Sequence, residues 1–358
     1  AIDILVCRPC VSRAYYIKCA VQGITSTVLL QGENMRVGLT GATGFIGSQL
    51  AELLVEKGHQ VACLVRGTSS LRWIEGLPVE LHYGEILDPP SLEDFVRGRD
   101  VIFHLAGTAK GRTDADIIEA NRTGTKNLCA VIGRHNPNIE RFVFVSTSEA
   151  MGLIQGSGPS TEDIPPAPIT VYGKSKAAAE EVVTSCPDLP YTVVRPSPVF
   201  GPRDRDVFIM FKLIEGNFLP MPKLNGTLSM IYSRNLVRGL LQCALCEAAR
   251  RETYFLADDG YYTWQDITGF MARALDKNPL RVGVPIPVIR LLGNISSLYS
   301  RVTNRATILS KEKFLLMTHS NLTVSNAKAK RDFGYTTEVP LPEAIRETAV
   351  WYRESGWL

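Results

Sequence analysis

The chain has few cysteines: eight in 358 residues, too sparse for a disulfide scaffold, so a reducing, cytoplasmic setting is the expectation. An excess of either charge is also missing. Lys and Arg number 39 against 36 Asp and Glu, a net charge of +3, which removes nucleic acid as the main partner. No apolar run reaches the ~18 residues of a membrane span. No sustained repeat exists, so collagen-like and coiled-coil architectures fall away. The 45% hydrophobic content excludes disorder over most of the length. What remains is a globular chain, long enough for one large α/β unit or two smaller domains.

Residues 1–34 stand apart, with three of the eight cysteines. They lack the basic segment and clean apolar core of a secretory signal. Met35 is the expected natural start and the preceding stretch an extension, with an extra strand pair as the competing reading.

From Met35 onward, short apolar runs alternate with helical patterns. Strands are expected at Val37–Leu39, Val61–Val65, Val79–Tyr83, Val101–Leu105, Phe142–Val145 and Tyr191–Val194. Helices are expected at Phe45–Lys57, closed by Gly58, at Ala115–Gly133 and at Val171–Thr184. That alternation predicts a doubly wound parallel sheet covered on both faces, with ligands at the carboxyl ends of the strands. After Arg195 it weakens. A strand at Leu228–Tyr232, a helix at Asn235–Ala249 and a strand at Thr253–Ala257 are expected, the last returning to the sheet. Helices follow at Trp264–Leu275 and Pro342–Tyr352. The predicted class is α/β, a Rossmann-type sheet (35–196) with a smaller, mostly helical substrate lobe (197–358).

The strongest local signal is Thr40-Gly41-Ala42-Thr43-Gly44-Phe45-Ile46-Gly47, where a strand ends and a helix begins. Glycines at this spacing give a tight turn, close approach to a pyrophosphate and close helix-to-strand packing, and the helix amino terminus offers N–H groups to phosphate. The second strand ends in Arg66 with nearby hydroxyls and no carboxylate. An acid there would bind the ribose hydroxyl of NAD, whereas Arg suits the extra phosphate of NADP, so NADP is favoured with NAD as the alternative. Tyr172-Gly173-Lys174-Ser175-Lys176 sets Tyr172 and Lys176 on one helix face. A nearby ammonium is expected to lower the phenol pKa and fit the pair for proton transfer. Ser146-Thr147-Ser148 supplies hydroxyls at the end of the fifth strand.

Together with HLAG at 104–107, Asn121 in NRTGT and RPSPVFGPR, these segments resemble the extended short-chain dehydrogenases/reductases from Met35 to the carboxyl terminus. The resemblance implies Thr147, Tyr172 and Lys176 as a catalytic triad, with Lys176 also on the nicotinamide ribose and Asn121 organising a relay through water. It implies Asp88 at the adenine. Gly41, Thr43, Gly44, Phe45, Ile46, Gly47, Arg66, Ile86, Leu105, Ala106, Gly107, Arg195 and Pro196 would be the other cofactor contacts. Nucleotide-sugar enzymes of the family carry Asn where this chain has Pro198, an Arg-Asp pair where it has Ser229-Met230, and Tyr where it has Met151. These departures and the carboxyl half look closer to bacterial 3β-hydroxysteroid dehydrogenase-like and dihydroflavonol reductase-like members.

The expected activity is therefore hydride transfer between a nicotinamide and a secondary alcohol or ketone of a small, apolar substrate. A sugar-nucleotide epimerase or dehydratase is the rival, and a non-catalytic dinucleotide sensor the rival of another class. No metal is expected. Cys243/Cys246 and Cys7/Cys10 are CxxC pairs without nearby histidines and read as core cysteines rather than zinc ligands. His104 reads as a strand-end residue packed near the cofactor. Residues 282–299 read as a lid over the substrate cleft, with peripheral membrane contact as the alternative. The expected partner is the substrate, and a homodimer is the assembly to test.

Overall fold

Strands buried from end to end, such as Val101–His104, Arg141–Val145 and Tyr191–Pro196, have no face for solvent and require a helical layer on each side. The computed structural model describes residues 16–21, 24–29, 34–152, 158–222, 226–285 and 321–358. At the amino end, β1 (Tyr16–Val21) and β2 (Ile24–Leu29) form an antiparallel pair of their own. The central strands are β3 (Arg36–Thr40), β4 (Gln60–Val65), β5 (Val79–Tyr83), β6 (Val101–His104), β7 (Arg141–Val145) and β8 (Tyr191–Pro196). The short strands β9 (Val199–Phe200), β10 (Phe218–Pro222), β11 (Thr227–Leu228) and β12 (Ile231–Tyr232) follow. Strand β13 (Glu252–Leu256) then returns to pair with β8, and β14 (Tyr262–Thr263), β15 (Leu280–Val284) and β16 (Asn321–Leu322) complete the set.

The main sheet has seven parallel strands in the order β13-β8-β7-β6-β3-β4-β5. Chain order runs outward in both directions from β3, so the crevice opens where β3 and β6 diverge. Helix α1 (Phe45–Glu56) ends as expected: Gly58, at φ +83°, bonds the Val55 carbonyl. The helix expected over 115–133 is not uniform. After the short α2 (Glu93–Val96), it comprises α3 (Asp114–Ile118), a single π-helical turn (Glu119–Thr123) and α4 (Gly124–His135). Helix α5 (Val171–Thr184) starts from the Thr170 cap, whose hydroxyl accepts Gly173 N–H.

Beyond the sheet come α6 (Phe208–Glu215), α7 (Ser233–Leu245), α8 (Trp264–Leu275), α9 (Ala327–Phe333) and α10 (Leu341–Glu354). Helix α7 joins α1 in the core on one face of the sheet, through Leu236, Leu240 and Leu54. Phe211, Met271, Ile345 and Tyr352 form a separate core in the carboxyl half. The expected strand over 228–232 splits in two, because Leu228 pairs with β14 and β16 while Ile231 pairs with β9. Of the stretch 282–299, Val282–Val284 lies in β15 beside β10 and 286–299 falls outside the described residues, as do Cys7 and Cys10. Among the described residues no helix is long and apolar enough to cross a membrane.

Candidate active site

The glycine loop is built by contact with the next loop along the crevice. Gly41 sits at φ +76°, and a Cβ there would lie 2.9 Å from both the Ala106 nitrogen and the Leu105 carbonyl carbon. Gly47 has no room for a side chain against the Gly41 carbonyl, which holds the first turn of α1 on the strand. Gly44 begins α1 with no side-chain cap, and no acid occupies the first turn. The helix therefore presents N–H groups and positive dipole to a bound anion at Phe45 and Ile46. A dinucleotide pyrophosphate fits this cradle.

Along the same edge, Arg66 follows β4 and is exposed, and Asp88 is exposed after β5. Ile86 packs against Gly124, where a Cβ would come within 2.6 Å of it, and Asn127 Nδ2 donates to the Ile86 carbonyl at 3.1 Å. All three stand at the carboxyl end of the sheet, where an adenosine would lie if the pyrophosphate sits at Gly44.

The π turn is where the helix meets the site. An extra residue per turn swings Asn121 inward, and its burial is nearly complete. Its amide clasps the Thr108 backbone, accepting from N–H and donating to C=O at 2.8 Å each, and donates to Ser175 Oγ at 2.7 Å. A Cβ on Gly107 would lie 2.6 Å from Asn121 Oδ1 and 4.0 Å from Lys176 Nζ, so the loop, Asn121 and Lys176 converge on one point. Lys176 is buried, its ammonium 4.1 Å from the centre of the Phe144 ring.

Thr147 stands half-buried at the mouth of β7. Its hydroxyl oxygen accepts Glu149 N–H at 3.3 Å and keeps its own proton to donate. Gly173 brings α5 against this turn, because it leaves no space for a side chain beside the Glu149 carbonyl. The helix that carries Tyr172 and Lys176 is thus set against the turn that starts at Thr147. Electrostatics there differ from the expectation. Burial pushes the Tyr172 phenol above its ordinary value and the nearby Glu149 carboxylate adds to the rise. Burial also pulls Lys176 down to about 7, against the opposing pull of Glu180. Desolvation is the leading cause at both groups, and it disfavours the charged form of each.

Ser146 faces the interior and donates to Glu180, which Arg195 grips through Nε at 3.0 and 3.1 Å. Arg195 also donates to Met151 Sδ at 2.7 Å, and Met151 packs inward with Phe255, Ala257 and Val324. The Met151 departure therefore alters the core and gives no evidence about a substrate, a correction to its expected meaning. Ser229 is likewise buried and takes Val324 N–H at 3.0 Å. Pro198 is exposed after β8, and its carbonyl takes Ile231 N–H. Cys243 is buried and donates to the Leu240 carbonyl, and Cys246 to the Asp332 carbonyl. Sequence reasoning missed Thr40, Thr125, Ser175 and Glu180 as parts of the site's frame.

The sequence model of the NAD dependent epimerase/dehydratase family matches residues 37–251. The chain belongs to this family. It is thus an enzyme of a nicotinamide-dependent family, with NAD named as the family's cofactor. Ceramide reductase of Caulobacter vibrioides (strain NA1000 / CB15N) is 28% identical over 326 residues, covering 90% of this chain and 96% of its own. A ketoreductase of Stigmatella aurantiaca, named for a 4-hydroxy-2-methyl-3-oxo-4-farnesyl-3,4-dihydroquinoline-1-oxide, is 26% identical, covering 85% of this chain and 93% of its own. In fold the family member resembles the crystal structure of dTDP-glucose 4,6-dehydratase from Bacillus anthracis in complex with NAD. The TM-score is 0.72 at 20% identity, over 90% of this chain and 98% of that one.

Proposed function

We propose that the enzyme reduces an apolar, lipid-like ketone with NADPH, a hydride transfer whose proton comes from Tyr172. The observation that carries the reading is the close seat of Gly173 against the Glu149 carbonyl, which sets the helix bearing Tyr172 and Lys176 on the turn that starts at Thr147. Burial and Glu149 also push the Tyr172 phenol above its ordinary value, which favours the form that gives a proton. A neutral phenol is ready to give its proton to a carbonyl oxygen, whereas alcohol oxidation needs the phenolate first. Thr147 donates its hydroxyl proton to the same oxygen and fixes its position. Lys176 supplies positive charge beside the phenol when protonated and holds the nicotinamide ribose. Asn121 keeps the 107–108 loop and Ser175 in register with it. The bound nicotinamide supplies the hydride.

For the cofactor, Gly41, Thr43, Gly44, Phe45, Ile46 and Gly47 cradle the pyrophosphate and Asp88 meets the adenine. Arg66 takes the extra phosphate that separates NADPH from NADH. Ile86, Leu105, Ala106 and Gly107 line the binding edge with the main chain of Arg195 and Pro196, the Arg195 side chain being committed to Glu180. The substrate lies between a cofactor domain (35–196) and a substrate lobe (197–358). An apolar substrate is favoured by Pro198, where the sugar-nucleotide form has an amide, and by relatives named for ceramide and a farnesylated quinoline. The expected setting is the cytoplasm, with a homodimer tested by sedimentation.

The test is cofactor consumption across long-chain, cyclic and steroidal ketones with NADPH and NADH. Stoichiometric NADPH oxidation with an apolar ketone is expected. Conversion of UDP-glucose with no net change in nicotinamide, and no turnover of any ketone, would instead establish the epimerase reading that the family name carries. Dinucleotide binding with no turnover of either kind would leave the sensor.

A further inference from the structure

His104 ends β6 without exposed surface, its ring centroid 5.9 and 5.6 Å from those of Phe142 and Phe144. The chemistry proposed above does not use it, yet both ring nitrogens are engaged. Nδ1 lies 2.7 Å from Thr40 Oγ1 and Nε2 lies 3.0 Å from Thr125 Oγ1. Counting protons fixes the Nε2 end. Thr125 has a single hydroxyl proton and gives it to the Asn121 carbonyl, 2.6 Å away, since a carbonyl cannot donate. Toward His104 the Thr125 oxygen must then accept, so Nε2 carries the proton. In a neutral ring Nδ1 is bare, and Thr40 donates to it while accepting Ala106 N–H at 3.0 Å. Burial and the Lys176 charge keep the ring neutral, pulling it down to about 3.

The line extends at both ends. Thr40 is the last residue before the glycine loop, and Ala106 belongs to the loop against which Gly41 packs. Past Asn121, Ser175 donates to the Tyr172 carbonyl at 2.7 Å. Four elements, β3, β6, α4 and α5, are thereby joined by one run of hydrogen bonds. We infer that His104, as a neutral ring protonated at Nε2, is a positioning residue that sets the cofactor loops against the helix carrying Tyr172 and Lys176. A single rigid ring spans the two threonines. An amide side chain carries its donor and acceptor on one carbon instead of on opposite sides of a ring, so His104→Gln is expected to keep at most one of the two contacts.

The inference rests on the dinucleotide site proposed above, and the test keeps the two apart. Long-range proton–nitrogen spectra of the whole protein with labelled histidine should show one ring protonated at Nε2 alone. That ring should not titrate between about pH 5 and about pH 8, the range in which an ordinary histidine does, and it is assigned by its loss in His104→Gln. Thr125→Val breaks the line at a residue on α4, outside the cofactor loops. It should speed amide exchange at Ala106 and Thr108 about tenfold and weaken NADPH binding about tenfold, as when a buried donor loses its acceptor. Thr125→Ser should restore both. If the valine variant does not fold, His104→Gln carries the test: exchange at Ala106 should speed while the π turn stays protected. A folded Thr125→Val with wild-type exchange and NADPH affinity, a His104→Gln with unchanged Ala106 exchange, or a ring protonated at Nδ1 would overturn the inference. Wild type that binds neither NADPH nor NADH sinks the cofactor reading instead, and leaves the spectra and exchange to judge His104.

Discussion

In the amino half, polar groups are buried in a line, Thr40, His104, Thr125, Asn121 and Ser175, and none of them is charged. In the carboxyl half a group of them gathers around a buried acid, Asp258, which takes Tyr232 N–H at 2.7 Å, Asn235 Nδ2 at 2.8 Å and the Tyr335 hydroxyl at 3.4 Å. Both arrangements tie distant segments together: the first joins loops of the cofactor edge, the second joins β12, α7 and the segment between α9 and α10. They differ in what pH can do to them. A line of hydroxyls, imidazole and amide with each proton assigned has nothing to lose near neutrality. Asp258 has only neutral donors, and burial, aided by Asp259, pushes it up to about 7 despite three hydrogen bonds. Glu180, as deeply buried, shows the other solution: Arg195 neutralises it in place. On the cofactor edge Lys176 is, among the described residues, a buried charge outside any ion pair, and the proposed chemistry uses it.

The largest expected effect lies on that edge. Tyr172→Phe removes one oxygen and should leave melting and cofactor binding unchanged, yet lower single-turnover hydride transfer by about 10²–10⁴-fold, the usual share of a positioned acid. Thr147→Val should be severe and Thr147→Ser mild, because the hydroxyl is the working part. A folded Tyr172→Phe enzyme at near-native rate would move the proton donor elsewhere.

Next in size is Lys176→Met, which should lower turnover and cofactor affinity together while raising stability at neutral pH. The folded pKa is depressed from 10.5 to about 7, so Lys176 opposes folding fully below about 7 and not at all above 10.5. The methionine variant should therefore melt above wild type at pH 7, with the gap closing toward pH 10.5. Equal melting curves across that range would mean that the ammonium is solvated in the fold.

These residues were also the ones most legible in the sequence. Gly41–Gly47 and Tyr172–Lys176 are set by local spacing, so the loop, the helix start and the shared face follow from short-range geometry. His104 was legible only as a packed strand end, since its partners lie 64 and 21 residues away. The π turn was invisible for a related reason. Its sequence is an ordinary helical pattern, and what accompanies the widening is Asn121 bonding Thr108 and Ser175 across the tertiary fold. Ser146 read as one more hydroxyl at the site until Glu180, 34 residues on, claimed it.

A smaller effect is expected at the adenosine end. Arg66→Ala should weaken NADPH by about tenfold or more, the worth of a charge-assisted contact, and leave NADH nearly unchanged. Equal loss for both cofactors in a fluorescence titration would put Arg66 outside the phosphate site.

The last effect is one of stability and returns to the carboxyl half. Because the folded pKa of Asp258 is raised from 3.8 to about 7, its contribution is fully present below 3.8 and is lost as pH rises through about 7. Asp258→Asn cannot titrate, so the stability of wild type relative to the variant should fall between those limits. One proton limits the slope to about 1.36 kcal/mol per pH unit. Asp259, held below its ordinary value by Lys330 and Asn326, titrates lower and in both proteins, so it cancels from the difference. Urea unfolding of the two proteins from about pH 4 to about pH 8 reads the slope directly. Parallel curves would mean that Asp258 stays ionised throughout. The contrast between a silent line and a titrating centre would then fail on the carboxyl side, because Asp258 would be as silent near neutrality as the line from Thr40 to Ser175.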